Sequence, residues 1–183
     1  RTTLRWEAVR AVLVRPAQLA AQGSGVLLLV AIQHYHATGT AKALLTASVF
    51  VGMLLAPVIV SFVAWAGLSV SRALAVLIAL AGTGLVAAGV SPGFGGFLLG
   101  VMVGAPLLES ITPLVTAMWQ HNVPRRLRGR LFGLVGTVSG AAGIGTGLAI
   151  ALYLGDDAGR YRPVVVLLGA AVVLAAVAAW RIP

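Results

Sequence analysis

Six runs of about 20 mostly apolar residues, each long enough to cross the hydrocarbon core of a bilayer as a helix, follow one another along this chain. They lie at Ala17–His34, Ala43–Ala66, Ala73–Val90, Phe94–Trp119, Leu131–Leu154 and Val164–Trp180. Turn-forming stretches separate several of them: HATGTAK between the first and second, GLSVSR between the second and third, SPGFGG between the third and fourth. The runs are unbroken and rich in Ala, Leu and Gly, whereas barrel strands would alternate over roughly ten residues. Backbone polar groups in lipid must be satisfied within the segment, so the spans are predicted to be helices. Charged residues make up 9% of the chain and mean hydropathy is +1.02, against about 25% charged in soluble domains. The predicted fold class is therefore an all-α integral membrane protein, a six-transmembrane-helix bundle over residues 17–183, with the lipid bilayer as its first partner.

The formal net charge of +9 invites a nucleic-acid reading, but a nucleic-acid binder carries its basic residues on one solvated face. Here they fall in short clusters between apolar runs, so no nucleic-acid partner is expected and the excess reads as topology. One side collects ten Lys and Arg residues (Arg1, Arg5, Arg10, Arg15, Arg72, Arg125, Arg126, Arg128, Arg130, Arg181) and the other three (Lys42, Arg160, Arg162), diluted by Asp156 and Asp157. By the positive-inside bias both termini are expected to be cytoplasmic, in a multi-pass protein of the plasma (cell inner) membrane. Residues 1–16 read as a cytoplasmic basic arm, either solvated or forming a short interfacial helix with Trp6 at headgroup level. A start at Arg1 with no small-residue cleavage pattern reads as part of a longer protein without a signal peptide.

Polar residues inside the spans are the candidate site. On a straight first helix, Gln18, Gln22, Gln33 and His36 share a sector of roughly 60°. In the fourth span Glu109, Thr116 and Gln120 cluster likewise, with Thr112 close by. An ionised carboxylate in a bilayer core is costly, so Glu109 is expected either to face a wet cavity or to be protonated. On these span boundaries no Lys or Arg lies inside a span to hold it ionised, and Gln22 and Thr116 are its expected neighbours. Glu109 is then a candidate coupling-ion or cationic-solute site, and the bland alternative is polar side chains that merely join helices. The fifth span carries a stripe of small residues: Gly129, Gly133, Gly136, Gly140, Gly143 and Gly147. Such a stripe serves close packing, either inside this bundle or against another body. Pro57, Pro106 and Pro113 are expected kink positions.

Enzyme readings fail on residue type. An intramembrane serine nucleophile needs a histidine within another span, and His34, His36 and His121 lie at or beyond span ends. Glu109 is the one acid inside a span, so a carboxylate pair is unavailable. With no cysteine in the chain and no third ligand for His34 and His36, no metal site is expected, and neither catalytic residues nor cofactors are expected.

Two stretches resemble the major facilitator superfamily of transporters. VPRRLRGRLFG (Val123–Gly133), with Pro124, Arg128 and Gly129, is similar to that family's loop between helices four and five. LLTASVFVGMLLAPVIVSFVAWAG resembles its second helix, followed by a worn helix-two to helix-three signature that keeps Gly67 and a displaced Arg72. Ala64 and Trp65 stand where that signature has Asp and Arg, and the Gly-Pro ending of the antiporter motif is absent from the fifth span. The resemblance implies that the chain is the N-terminal six-helix half of a twelve-helix fold, partnered by the C-terminal half of the same transporter. It implies secondary active transport of a small solute by alternating access, with Gly67, Arg72, Arg128 and Gly129 as gating-loop candidates. Substrate, direction and coupling ion stay open, as does a C-terminal-half reading, because the two halves share motifs. The reading from a different class is a six-helix membrane subunit that acts by assembly with a partner.

Overall fold

The computed structural model describes residues 2–22, 25–155 and 157–182. Arg1 and Asp156, both counted in the charge bias above, lie outside the described residues. Among the described residues seven α-helices and one 3-10 turn follow in order: α1 (Thr2–Ala21), α2 (Val26–Gln33), α3 (Gly39–Trp65), α4 (Val70–Val90), α5 (Phe94–Asn122), α6 (Arg125–Leu154), the turn Ala158–Arg160, and α7 (Tyr161–Trp180). No strand occurs among the described residues. Six segments are long and apolar enough to cross a membrane: Thr3–Gln33 (α1 and α2 in succession), Gly39–Trp65, Val70–Val90, Phe94–Asn122, Arg125–Leu154 and Ala158–Trp180.

Local chemistry sets the helix ends. Thr38 and Ser69 accept from backbone N–H groups three residues on and cap α3 and α4. At the end of α3, Gly67 takes φ +62°. Its N–H donates to Ala64 O while that of Leu68 donates to Val63 O, the paired bonds of a Schellman stop that a left-handed residue makes possible. Helix assignment runs through Pro57, Pro106 and Pro113 without interruption.

Three expected boundaries are corrected. Residues 2–16 are not an arm: they form most of α1, which packs on α6 and α7. The face Glu7, Arg10, Val14, Ala17 and Ala21 is buried, at spacings of three and four that match a helix. The first span therefore starts near Thr3 rather than Ala17, and Arg5, Arg10 and Arg15 fall within it. Its helix is also not straight, because α1 ends at Ala21 and α2 begins at Val26. The Gly25 N–H bonds to Gln22 O at 2.7 Å, and a Cβ on Gly25 would run into the Ala20 carbonyl. Lastly, the Arg125–Arg130 cluster is the opening of α6 rather than a loop.

The helix pairing has an internal regularity. α4 packs on α7 and α5, α3 on α5, α1 on α6 and α7, and α1 touches α5. Exchanging α1 with α5, α3 with α6 and α4 with α7 maps this set onto itself: α4 on α5 becomes α7 on α1, and α3 on α5 becomes α6 on α1. Each half of the chain contributes three long segments, and an odd number of crossings would reverse the second set relative to the first.

The tightest seams use glycines other than the α6 stripe. A Cβ on Gly82 would sit 2.7 Å from Val173 N, and one on Gly169 2.6 Å from Val86 N, so the α4 and α7 backbones nearly touch. Gly84, Gly100 and Gly104 do the same between α4 and α5, and Gly52 lies against Pro106 between α3 and α5. Along α6 only Gly143 is in such contact, 2.5 Å from Leu19 Cδ1, while a Cβ on Gly129, Gly133, Gly136, Gly140 or Gly147 would meet nothing within 4 Å. Packing inside this bundle therefore does not account for most of the stripe. Apolar side chains such as Leu54, Phe62, Trp65, Ile144 and Leu152 are exposed, as suits an outer surface solvated by lipid.

Candidate functional site

An open cavity of about 280 Å³ lies between α1, α5 and α6. α1 supplies Glu7, Arg10, Val14, Arg15 and Gln18 to its wall; α5 supplies Ile111, Thr112, Val115, Thr116 and Trp119; α6 supplies Phe132, Val135, Gly136, Ser139 and Gly140. Gln18, Thr112 and Thr116, predicted as candidates, are thus brought together. The missing side chains of Gly136 and Gly140 leave the α6 wall recessed.

Among the described residues, the wall's polar side chains divide into those already bonded and two, Arg15 and Thr112, that are not. Glu7 takes a two-point contact from Arg10, Nε to Oε2 at 2.8 Å and Nη2 to Oε1 at 2.5 Å, and the Trp119 indole N–H donates to Glu7 Oε1 at 3.1 Å. Both ionic side chains are buried, so their charges compensate each other locally, the condition for burying ions at all. Gln18 Nε2 donates to Leu108 O at 3.1 Å and ties α1 to α5. The Thr116 and Ser139 hydroxyls donate back to Thr112 O and Gly136 O of their own helices. That turn-back habit of Ser and Thr in helices keeps both from acting as interhelical joints and leaves their lone pairs facing outward. Arg15 has no hydrogen bond and no ion pair within 4.0 Å among the described residues. Its stem passes α6 where Gly143 leaves room.

Glu109 is not part of this wall. Its backbone lies on the α5 face toward α3, where a Cβ on Gly52 would sit 2.9 Å from Glu109 Cβ. Its Oε1 is buried without a hydrogen-bond partner. Gln22 and Thr116 do not bond to it; the charge that reaches it is that of Arg15. An internal cation is therefore present, contrary to expectation, because the first span extends further toward the N-terminus than the apolar run alone indicates.

Other predicted residues lie elsewhere. Gln33, with His34 and His36, lines a separate open hollow with Gly155 and Asp157 at the opposite end of the first span, so the break after Ala21 separates it from Gln18. Among the described residues no group of three His, Cys, Asp or Glu converges. The gating candidates do not form one cluster. Gly67 is a helix stop, and the Arg72 guanidinium lies 5.7 Å from the centre of the Trp180 ring. Arg128 donates to Val123 O at 2.7 Å and Gln120 O at 2.5 Å, so it closes the C-terminus of α5, where a cation suits the orphan carbonyls. A Cβ on Gly129 would meet nothing within 4 Å.

Sequence reasoning missed Glu7, Arg10, Arg15, Trp119 and Ser139. The signal was present: Glu7 and Arg10 are three apart, and Val14, Ala17 and Ala21 continue their face. No protein-family model, curated protein or solved structure matches the chain.

Proposed function

We propose that this chain is one half of a secondary active transporter that moves a small solute across the membrane by alternating access. One observation carries the reading: a recessed, partly charged cavity opens between α1 and α5, the two helices that exchange under the bundle's internal regularity. Three-plus-three inverted repeats nested within a six-helix half, with the substrate site between the two halves near the midplane, are the architecture the resemblance to the major facilitator superfamily implies. The empty glycine face of α6 beside that cavity suits a second half closing over it. Moving Arg5, Arg10 and Arg15 into the first span leaves seven basic residues against three, so the inference of cytoplasmic termini is unchanged. An uncovered α6 face also suits a subunit that acts by assembly, but assembly alone gives no use for a charged cavity.

Proteoliposomes test the proposal. The chain alone should give no saturable solute uptake, and the polypeptide joined to its second half should accumulate solute against a gradient. In that joined protein Glu109→Gln keeps shape but cannot titrate, and should lose gradient-driven accumulation while retaining exchange. Robust uptake by the chain alone would overturn the half-transporter reading.

A further inference from the structure

The cavity's bonding inventory narrows what it can hold. Glu7 and Arg10 neutralise one another, so the remaining charge of the wall is that of Arg15. Arg15 presents up to five N–H donors in a fixed fork that matches a carboxylate or phosphate, and none of them is engaged by the described residues. Beyond it the Thr116 and Ser139 hydroxyls offer acceptors, their protons being spent on Thr112 O and Gly136 O, while the Thr112 hydroxyl and the second N–H of Gln18 can donate. The rest is apolar or aromatic: Val14, Ile111, Val115, Trp119, Phe132 and Val135. The Arg15 charge reaches Glu109, but the two form no ion pair within 4.0 Å and the Glu109 Cβ lies toward Gly52 of α3.

We infer that the cavity between α1, α5 and α6 binds a small organic anion: a carboxylate-bearing molecule with an apolar, ring-sized body and a hydroxyl or amine donor at the far end. Arg15 holds the carboxylate, Trp119 and Phe132 flank the body, and Thr116 or Ser139 accepts from the distal donor. Gly136 and Gly140 make the room. A wall with one unpaired cation, whose sole carboxylate is already paired with Arg10, disfavours a cationic solute, which the position of Glu109 alone had suggested. As an assignment of substrate class this rests on the transport reading; as a binding site it can be tested without it. The same carboxylate-or-phosphate chemistry could be met by an anionic lipid headgroup entering from the side, so the test separates the two sources.

The whole 183-residue chain, purified into nanodiscs of zwitterionic phosphatidylcholine, is titrated with 4-hydroxybenzoate while its tryptophan fluorescence is followed, with 4-hydroxybenzamide and tyramine as the neutral and cationic shape mimics. Saturable quenching by the carboxylate, weaker by about tenfold or more for the amide, is expected, since a charge-assisted contact is lost. Arg15→Gln should lose the same factor, Arg15→Lys should recover part of it, and Gly140→Leu should abolish binding of all three by filling the cavity. Thr116→Val, which leaves the charge intact, should weaken 4-hydroxybenzoate but not benzoate. Tighter binding of tyramine, no saturable response to the carboxylate, or an unchanged Arg15→Gln in a protein that elutes as the parent does would overturn the inference. Loss of carboxylate binding when phosphatidylglycerol replaces phosphatidylcholine would also overturn it, in favour of a lipid headgroup. Uptake by the joined protein of a cationic solute would sink the substrate class and leave the transport reading standing, whereas carboxylate binding without any uptake would do the reverse.

Discussion

The indole N–H of Trp119 donates to the carboxylate of Glu7 at 3.1 Å, joining positions 112 residues apart. Since Arg10 grips the same carboxylate, one buried anion fixes the start of α1 against the end of α5. Glu7→Ala would leave the buried Arg10 uncompensated and should destabilise the protein by about 3–5 kcal/mol. Trp119→Phe removes one charge-assisted bond and should cost about 1.5–3 kcal/mol. Thermal unfolding in detergent ranks them, and replacing Glu7 and Arg10 together by Leu and Met should be milder than Glu7→Ala alone.

Glycines of α4 and α6 should respond oppositely to one methyl group. Gly82→Ala forces a carbon to 2.7 Å from Val173 N, a backbone atom that cannot swing away, and should cost about 1–3 kcal/mol through overpacking. Gly140→Ala and Gly147→Ala meet nothing and should leave the unfolding midpoint of the isolated chain unchanged. Equal losses at Gly82 and Gly147 would contradict the packing described.

The chain has no cysteine, so introduced ones report topology cleanly. Arg126→Cys at the start of α6 and Arg160→Cys before α7 are at exposed positions and lie at opposite ends of one crossing. A membrane-impermeant maleimide should label them from opposite faces of intact vesicles. Labelling of both from one face would refute the six-crossing arrangement.

Burial, and then the hydrogen bond to Tyr161, push the Tyr35 phenol from 10.0 up to about 12. Its neutral form is thus favoured in the folded protein. That contribution is fully present below the unfolded value and is lost as pH rises through the folded one. Stability should fall between about pH 10 and 12, and Tyr35→Phe should flatten this part of the profile while lowering stability at neutral pH. Alkaline unfolding curves of the two proteins make the comparison.

The six membrane-length helices were legible because apolar runs and turn residues mark them directly, whereas Gly67, expected among the gating-loop residues, serves to stop α3. The first sixteen residues were misread for a physical reason: five formal charges suggested water, but a carboxylate three residues before a guanidinium can neutralise it and carry it indoors. Half of the candidate wall survived. Gln18, Thr112 and Thr116 converge because their helices do, while Gln33 was lost to the break after Ala21. Arg15 could not be ranked from sequence, since its importance lies in the absence of a partner. Which glycines mediate contact was equally hidden: Gly82 and Gly89 abut α7 whereas a Cβ on Gly133 would meet nothing within 4 Å, because the facing helix decides their use.

Where α4 meets α7, main chain lies almost on main chain, with Gly82, Gly89 and Gly169 in place of side chains. Such a joint has few rotamers to rearrange and little slack to absorb a sliding step, since shear between helices proceeds by small side-chain shifts. These two helices behave mechanically as one stiff plate, and the plate abuts both α5 and α1. A body pressing on this bundle would therefore meet a plate that tilts as a whole rather than two helices that slide.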